Sequence, residues 1–254
     1  MKFDFTDKVV LVTGASGSIG SSISKHFAEA GAKVIFHYNK NKKNAFKQFS
    51  ELSGNSHMLI QVDITNQNSI ESTIDLVIQK MGKIDILVNS AGIYIEHDID
   101  KLSYDEWIVA WDKTFKVNLF GHVNLLYYVI RQMRKQNGGK IVNVSSQAAF
   151  CGDTLAPAYG ASKSAFNSFS QSLAKALAMH NIYVYVVAPG FVEKERSELN
   201  HDKVKEETRE TQSPLKRIAK IDEVVKTVLF LASDGLDYLS GCIVDINGAS
   251  YLRS

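Results

Sequence analysis

The sequence predicts a doubly wound α/β fold: one parallel sheet of about seven strands with helices on both faces. Three observations carry this. Short β-rich runs alternate with helical patterns along the chain. Several strands are continuously apolar rather than alternating, as strands covered on both faces are. The 254 residues, 45% of them hydrophobic, are enough for one sizeable core.

The first strand is "KVVLVT" (8–13), followed after a glycine-rich turn by apolar residues at spacings of three and four over 18–30. "KVIFH" (33–37) precedes a helical pattern over 41–53, and "HMLIQVD" (57–63) precedes one over 66–81. "IDILVNS" (84–90) leads to a long pattern over 103–135. "KIVNVSS" (140–146) leads to 157–180, "IYVYVVA" (182–188) to 221–232, and "GCIVDIN" (241–247) closes the series. Strand, helix, strand repeated this often implies right-handed crossovers. No internal repeat or low-complexity linker interrupts it, and only three prolines occur, so residues 1–254 read as a single domain. The segment 191–213, rich in Lys and Glu, stands outside the rhythm.

Composition excludes several classes. A net charge of +2 and a pI of about 8.3 give no electrostatic case for a nucleic-acid or membrane partner. Two cysteines make no disulfide framework, and no Cys/His cluster predicts a metal site. The charged start "MKFDFTDK" lacks the apolar core of a signal peptide, and no apolar run approaches the length of a membrane span. A cytoplasmic protein is expected.

In a doubly wound sheet, ligands bind beyond the carboxyl ends of the strands, so the turn after the first strand borders the binding crevice. That turn carries Gly14, Gly17 and Gly20. The helix beginning there aims unpaired N–H groups and the positive end of its dipole at the crevice, which suits a phosphate. Side chains would hold a pyrophosphate away, and glycines would not. A P-loop would need Gly-Lys where Ile19-Gly20 stands, and a nucleophile elbow would need glycine at Ser18. A dinucleotide cradle of Rossmann type is therefore expected, against the alternative of a glycine-rich turn that binds nothing.

Tyr159 and Lys163 lie four apart on a predicted helix and share a face, and Ser146 ends a predicted strand at the same crevice. A free phenol, with a pKa near 10, exchanges protons poorly at neutral pH. Lowering it by roughly three units needs about 4 kcal/mol, which one ammonium about 4 Å away supplies at an effective dielectric near 20. The three side chains thus form a set suited to giving a proton to a carbonyl that receives hydride. Taken alone, the pair could be a core tyrosine beside a solvated lysine.

With these residues in view the chain resembles the short-chain dehydrogenase/reductase superfamily, through "TGASGSIG" (13–20), "VDIT" (62–65), "NSAG" (89–92), "VNLFG" (117–121), "SS…YGASK" (145–163), "PG" (189–190) and the tail "FLASD…YLSGCIVDINGA". The resemblance implies that Gly14, Ser16, Gly17, Ser18, Ile19 and Gly20 form the cofactor loop, with Tyr38, Asn39 and Lys40 at the end of the second strand. It places Asp63 and Ile64 at the adenine, Asn89, Ala91 and Gly92 along the nucleotide, and Pro189, Gly190 and Val192 at the nicotinamide. It makes Ser146, rather than Ser145, the partner of Tyr159, gives Lys163 the nicotinamide ribose as well, and has Asn118 hold a water that links Lys163 to solvent. Asp63 could instead cap a helix, Asn89 and Asn118 could be structural, and Pro189-Gly190 could be a plain turn. Two departures stand out: Ser18 where the family has glycine, and Lys194 where many members have threonine.

No carboxylate occurs at 36–43, while Lys40, Lys42 and Lys43 offer cations to a 2′-phosphate, so NADP(H) is expected over NAD(H). Solvation of a helix start explains any one of these lysines equally well. The chain is most similar to the 3-oxoacyl-[acyl-carrier-protein] reductase group, notably in "SPLKRIAKIDEVVKTVLFLASD". That resemblance implies an acyl-thioester or other small carbonyl substrate, an acyl carrier protein docking near Arg131, a substrate lid at 191–213, and a homotetramer built through the two long helices. His180 stands where a second docking arginine is usual. A sugar or polyol dehydrogenase, and a dinucleotide sensor without catalysis, are the alternatives.

Overall fold

The computed structural model describes residues 2–193 and 211–253. Seven strands form one parallel sheet in the order β3-β2-β1-β4-β5-β6-β7. They are β1 Val9–Thr13, β2 Lys33–Tyr38, β3 Met58–Gln61, β4 Ile86–Asn89, β5 Gly139–Val144, β6 Ile182–Pro189 and β7 Ile243–Ile246. Every predicted strand exists, most of them shorter than the apolar runs that announced them.

The helices are α1 Ser18–Glu29, α2 Lys42–Ser50, α3 Gln67–Met81, α4 Tyr104–Phe115, α5 His122–Lys135, the short α6 Ala148–Cys151, α7 Pro157–Leu177 and α8 Ile221–Ala232. The pattern over 103–135 is one helical path, but Lys116–Gly121 between α4 and α5 is a π turn. Such one-turn bulges recur at functional sites because they re-aim a side chain within a helix. The turn contains Asn118.

The strands divide their side chains between two cores. In β1, Val10 and Val12 join Ile23 and Phe27 of α1 and Val224 and Val228 of α8. Val9 and Leu11 join Ile74 of α3, Leu126 of α5 and Phe166 of α7. Burial on both faces is why these strands read as unbroken apolar runs. β7, at the edge, stays half-buried. Among the described residues, no helix is long and apolar enough to cross a membrane. The predicted lid falls mostly on 194–210, and Lys194 with it, outside the described residues.

Candidate active site

The chain winds outward from β1 to β3, then crosses back to β4 on the other side of β1. This reversal opens a crevice between the loops after β1 and β4. Thr13 joins the two loops: its Oγ1 accepts from the N–H groups of Ser90 and Ala91 at 3.0 and 3.1 Å.

The three glycines do different work. Gly14 has φ +63°, and a Cβ there would come 2.7 Å from Ala91 Cα. A Cβ on Gly20 would lie 2.4 Å from the Gly14 carbonyl oxygen. Both are glycine because the chain packs backbone on backbone, which corrects the expectation that ligand access explains all three. Gly17 differs: its φ of −89° suits any residue, and a Cβ there would meet only Gly14 O, at an ordinary 3.5 Å. Nothing among the described residues demands a glycine at 17, so the space it leaves open is space for something else. Gly17 is also the N-cap of α1, with no side-chain cap bond and no acid in the first turn. An uncapped helix start beside an open glycine fits a phosphate.

Sequence reasoning passed over His37. Buried in β2, it accepts from Gly14 N–H through Nδ1 at 3.1 Å and donates from Nε2 to the Val62 carbonyl at 2.9 Å. Its own carbonyl accepts from Ala15 N–H at 2.8 Å. Burial holds its pKa below the usual range. A histidine inside the apolar run "VIFHY" was the available signal.

Along the expected nucleotide path the side chains divide. Asn39 and Lys40 are exposed. Tyr38 is buried, its hydroxyl donating to Gln61 Oε1 at 3.2 Å. Ile64 is buried and Ile19 packs on the core, so these two and Tyr38 direct their side chains into the protein rather than outward. The Ser16 carbonyl accepts from Asn44 Nδ2 at 2.8 Å. Asp63 accepts from the backbone and hydroxyl of Thr65 at 2.9 and 2.8 Å. Burial raises its pKa, but those bonds, one from Asn39, and the charge of Lys40 outweigh that and hold the carboxyl below its ordinary value. Asp63 thus fixes the turn before α3, whose N-cap is Asn66.

Asn89 is buried, and its Nδ2 donates to Asn143 Oδ1 at 2.8 Å, which in turn joins Ser170. Its side chain fastens β4 to β5 and faces the interior. The Ala91 carbonyl accepts from His122 Nε2 at 2.8 Å. Gly92 lies over Asn118 and Lys163: a Cβ there would sit 3.5 Å from Asn118 Oδ1 and 3.8 Å from Lys163 Nζ. Both ends of the Asn118 amide engage Ile93, accepting from its N–H at 2.8 Å and donating to its carbonyl at 2.9 Å. This side chain ties the loop after β4 to the π turn. On the far side, Pro189 ends β6 and its carbonyl accepts from Gln147 N–H at 2.8 Å. Gly190 is closely packed against Gln147 and Asn247, and Val192 bridges to Ala219.

Ser146, Tyr159 and Lys163 come together at the mouth of this crevice. Ser146 lies beside the Tyr159 phenol, while the buried Ser145 hydroxyl has no partner among the described residues. Lys163 is buried, with Nζ 5.8 Å from the centre of the Tyr159 ring and donating to the Val144 carbonyl at 2.9 Å. Burial lowers its pKa to about 8. The Tyr159 phenol is pushed up by burial and by Asp153, against the lowering pull of Ser146. Burial disfavours the charged form of both side chains in this arrangement. Tyr94, also unforeseen, stands edge-on to Tyr159 at 5.2 Å, its hydroxyl donating to Asp153 Oδ1 at 3.2 Å.

Three similarities accompany this geometry. Residues 8–207 match the family described as short chain dehydrogenase. The chain is 37% identical over 243 residues to the 3-oxoacyl-[acyl-carrier-protein] reductase FabG of Thermotoga maritima, covering 95% of this chain and 96% of that one. It is 33% identical over 253 residues to the protein of the same name from Aquifex aeolicus, covering 99% and 100%.

Proposed function

The chain belongs to the short-chain dehydrogenase family and is an NAD(P)-dependent oxidoreductase, and on that premise we propose that it reduces 3-oxoacyl thioesters borne by an acyl carrier protein. The observation that carries the reading is Ser146 beside the Tyr159 phenol with Lys163 buried one turn further along, at the mouth of a crevice whose glycine loop leaves room for a phosphate.

The space at Gly17 and the start of α1 would hold the pyrophosphate, Lys163 the nicotinamide ribose, and the backbone of 89–92 the rest of the nucleotide. When bound, the reduced nicotinamide supplies the hydride. The protein supplies the proton and the alignment. Tyr159 Oη, held by Ser146, gives its proton to the carbonyl oxygen. Ser146 Oγ donates a hydrogen bond to the same oxygen and fixes its place. A phenol whose pKa is raised by burial keeps its proton until the carbonyl oxygen demands it.

NADP(H) is the proposed cofactor form, supported by the exposed Lys40 after β2 and Lys42 and Lys43 at the start of α2. Arg131, exposed on α5 and lying against Tyr127, is the proposed contact for the acidic carrier. The exposed Phe120, Tyr127 and Val109 of the α4–α5 path support assembly into a homotetramer. A cytoplasmic location accords with these proposals.

The test is NADPH oxidation with acetoacetyl thioesters, free sugars and simple ketones. Turnover is expected with the thioesters, and preference for sugars or polyols would replace this reading with a dehydrogenase of small alcohols. Tyr159→Phe should lower kcat by about 10²–10⁴-fold while NADPH still binds, since a positioned proton donor contributes about that much. Catalytic efficiency with NADH at or above that with NADPH would remove the cofactor preference.

A further inference from the structure

We propose that His97 is a positioning residue, which caps helix α7 from the loop after β4 and thereby sets the place of Tyr159. The inference rests on the role given to Tyr159 above. Its basis is the hydrogen-bond accounting at the start of α7, where the first N–H groups of a helix have no partner within it.

The residue before the helix, Ala156, offers no side-chain cap, and Pro157 has no N–H to satisfy. Leu155 and Ala156 donate to Asp153 Oδ1 at 3.0 Å each, and Tyr159 N–H donates to the Ala156 carbonyl at 2.9 Å. That leaves Ala158, which is fully buried. Its N–H donates to His97 Nε2 at 3.0 Å, across 61 residues of sequence. The imidazole is itself fully buried, with the rings of Trp107 and Trp111 each 6.3 Å away.

The ring can accept at Nε2 only in one form. His97 Nδ1 lies 2.8 Å from the Ile95 carbonyl, which can only accept, so Nδ1 carries the hydrogen and Nε2 the lone pair. The backbone adds a second tie, from His97 N–H to the Leu155 carbonyl at 2.8 Å. Three residues upstream, Tyr94 touches the Tyr159 ring and holds Asp153. The loop after β4 and the entry to α7 are thus joined at several points around Tyr159, and His97 supplies the one bond to an otherwise orphaned amide of the turn that bears it.

The test pairs a tautomer measurement with two substitutions in the full chain. Long-range ¹H–¹⁵N NMR should show His97 as the neutral Nδ1–H tautomer, and an Nε2–H signal would overturn the proposal. His97→Leu removes the acceptor, whereas His97→Gln keeps a terminal amide oxygen that can replace it. For His97→Leu, kcat should fall roughly tenfold, the rate equivalent of a lost helix cap. KM and the NADPH dissociation constant should stay within about twofold, because uniform binding is untouched. His97→Gln should keep kcat within about threefold of the parent. A fully active Leu variant, or equal losses in Leu and Gln, refutes the positioning role. Should the Leu variant fail to fold, the tautomer and the Gln variant still decide. A parent protein inactive on every carbonyl would sink the reductase reading, yet leave the tautomer, and so the capping bond itself, open to measurement.

Discussion

Replacing Gly17 by alanine separates the two reasons a glycine can occupy a phosphate loop. The added Cβ would touch only Gly14 O at 3.5 Å, and φ is −89°, so the fold tolerates it. Alanine is a poorer N-cap than glycine by under about 1 kcal/mol, and the stiffer unfolded chain returns about 0.4–1 kcal/mol. The net change should stay below about 1 kcal/mol, a Tm shift of no more than about 4 °C for a chain of this size. The methyl would, however, enter the space facing the start of α1, where N–H groups are proposed to meet a phosphate. Loss of one hydrogen bond to a charged group costs about 1.5–3 kcal/mol, which weakens dinucleotide binding roughly 10- to 150-fold. The assay is a titration of NADPH fluorescence beside thermal unfolding of the same preparations. Parent-like NADPH affinity in Gly17→Ala would refute the assignment of this loop as the phosphate cradle; a large loss of Tm would refute the steric reasoning.

Gly20→Ala should behave in the opposite way. Its Cβ must push the Gly14 carbonyl from 2.4 Å to a normal contact, an overpacking of about 1–3 kcal/mol against a helix gain of at most about 1 kcal/mol, so the variant should unfold at lower temperature even without cofactor. Lys163 has a folded pKa of about 8 against an unfolded value of 10.5. Between them the unfolded chain binds more protons, so stability rises with pH, by about 3 kcal/mol in all. Denaturant unfolding at pH 7.5 and 10 should show this slope in the parent and not in Lys163→Met, and equal slopes would contradict it. His122 is held neutral, to about 3, by burial and by Lys163 against the pull of its bond to Ala91. Below pH 6.5 the unfolded chain takes up the proton first, so stability is lost on acidification at about 1.4 kcal/mol per pH unit. His122→Gln, which keeps a donor for the Ala91 carbonyl, should flatten that limb of the curve.

The sequence alone determined everything that depends on neighbours in the chain. Runs such as "VVLVT" and "YVYVVA" declared buried parallel strands, and spacings of three and four declared the helices between them. The interval of four between Tyr159 and Lys163 declared their shared face, because the helix repeat makes that a local fact. The glycine loop was recognisable for the same reason. What the tertiary structure decided was which groups meet across the sheet and between loops. Gly14 turned out to be glycine for Ala91, Gly20 for the Gly14 carbonyl, and only Gly17 for open space. The Asn89 side chain went to Asn143, 54 residues away, and both ends of the Asn118 amide to Ile93. His37, His97 and His122 carried no legible role because each bonds backbone of a loop or helix distant in sequence. The pKa of Lys163 likewise depends on how much water the assembled fold removes. Periodicity records the burial of a face, but a hydrogen bond across 61 residues leaves no periodic trace, and only the folded chain brings its two ends together.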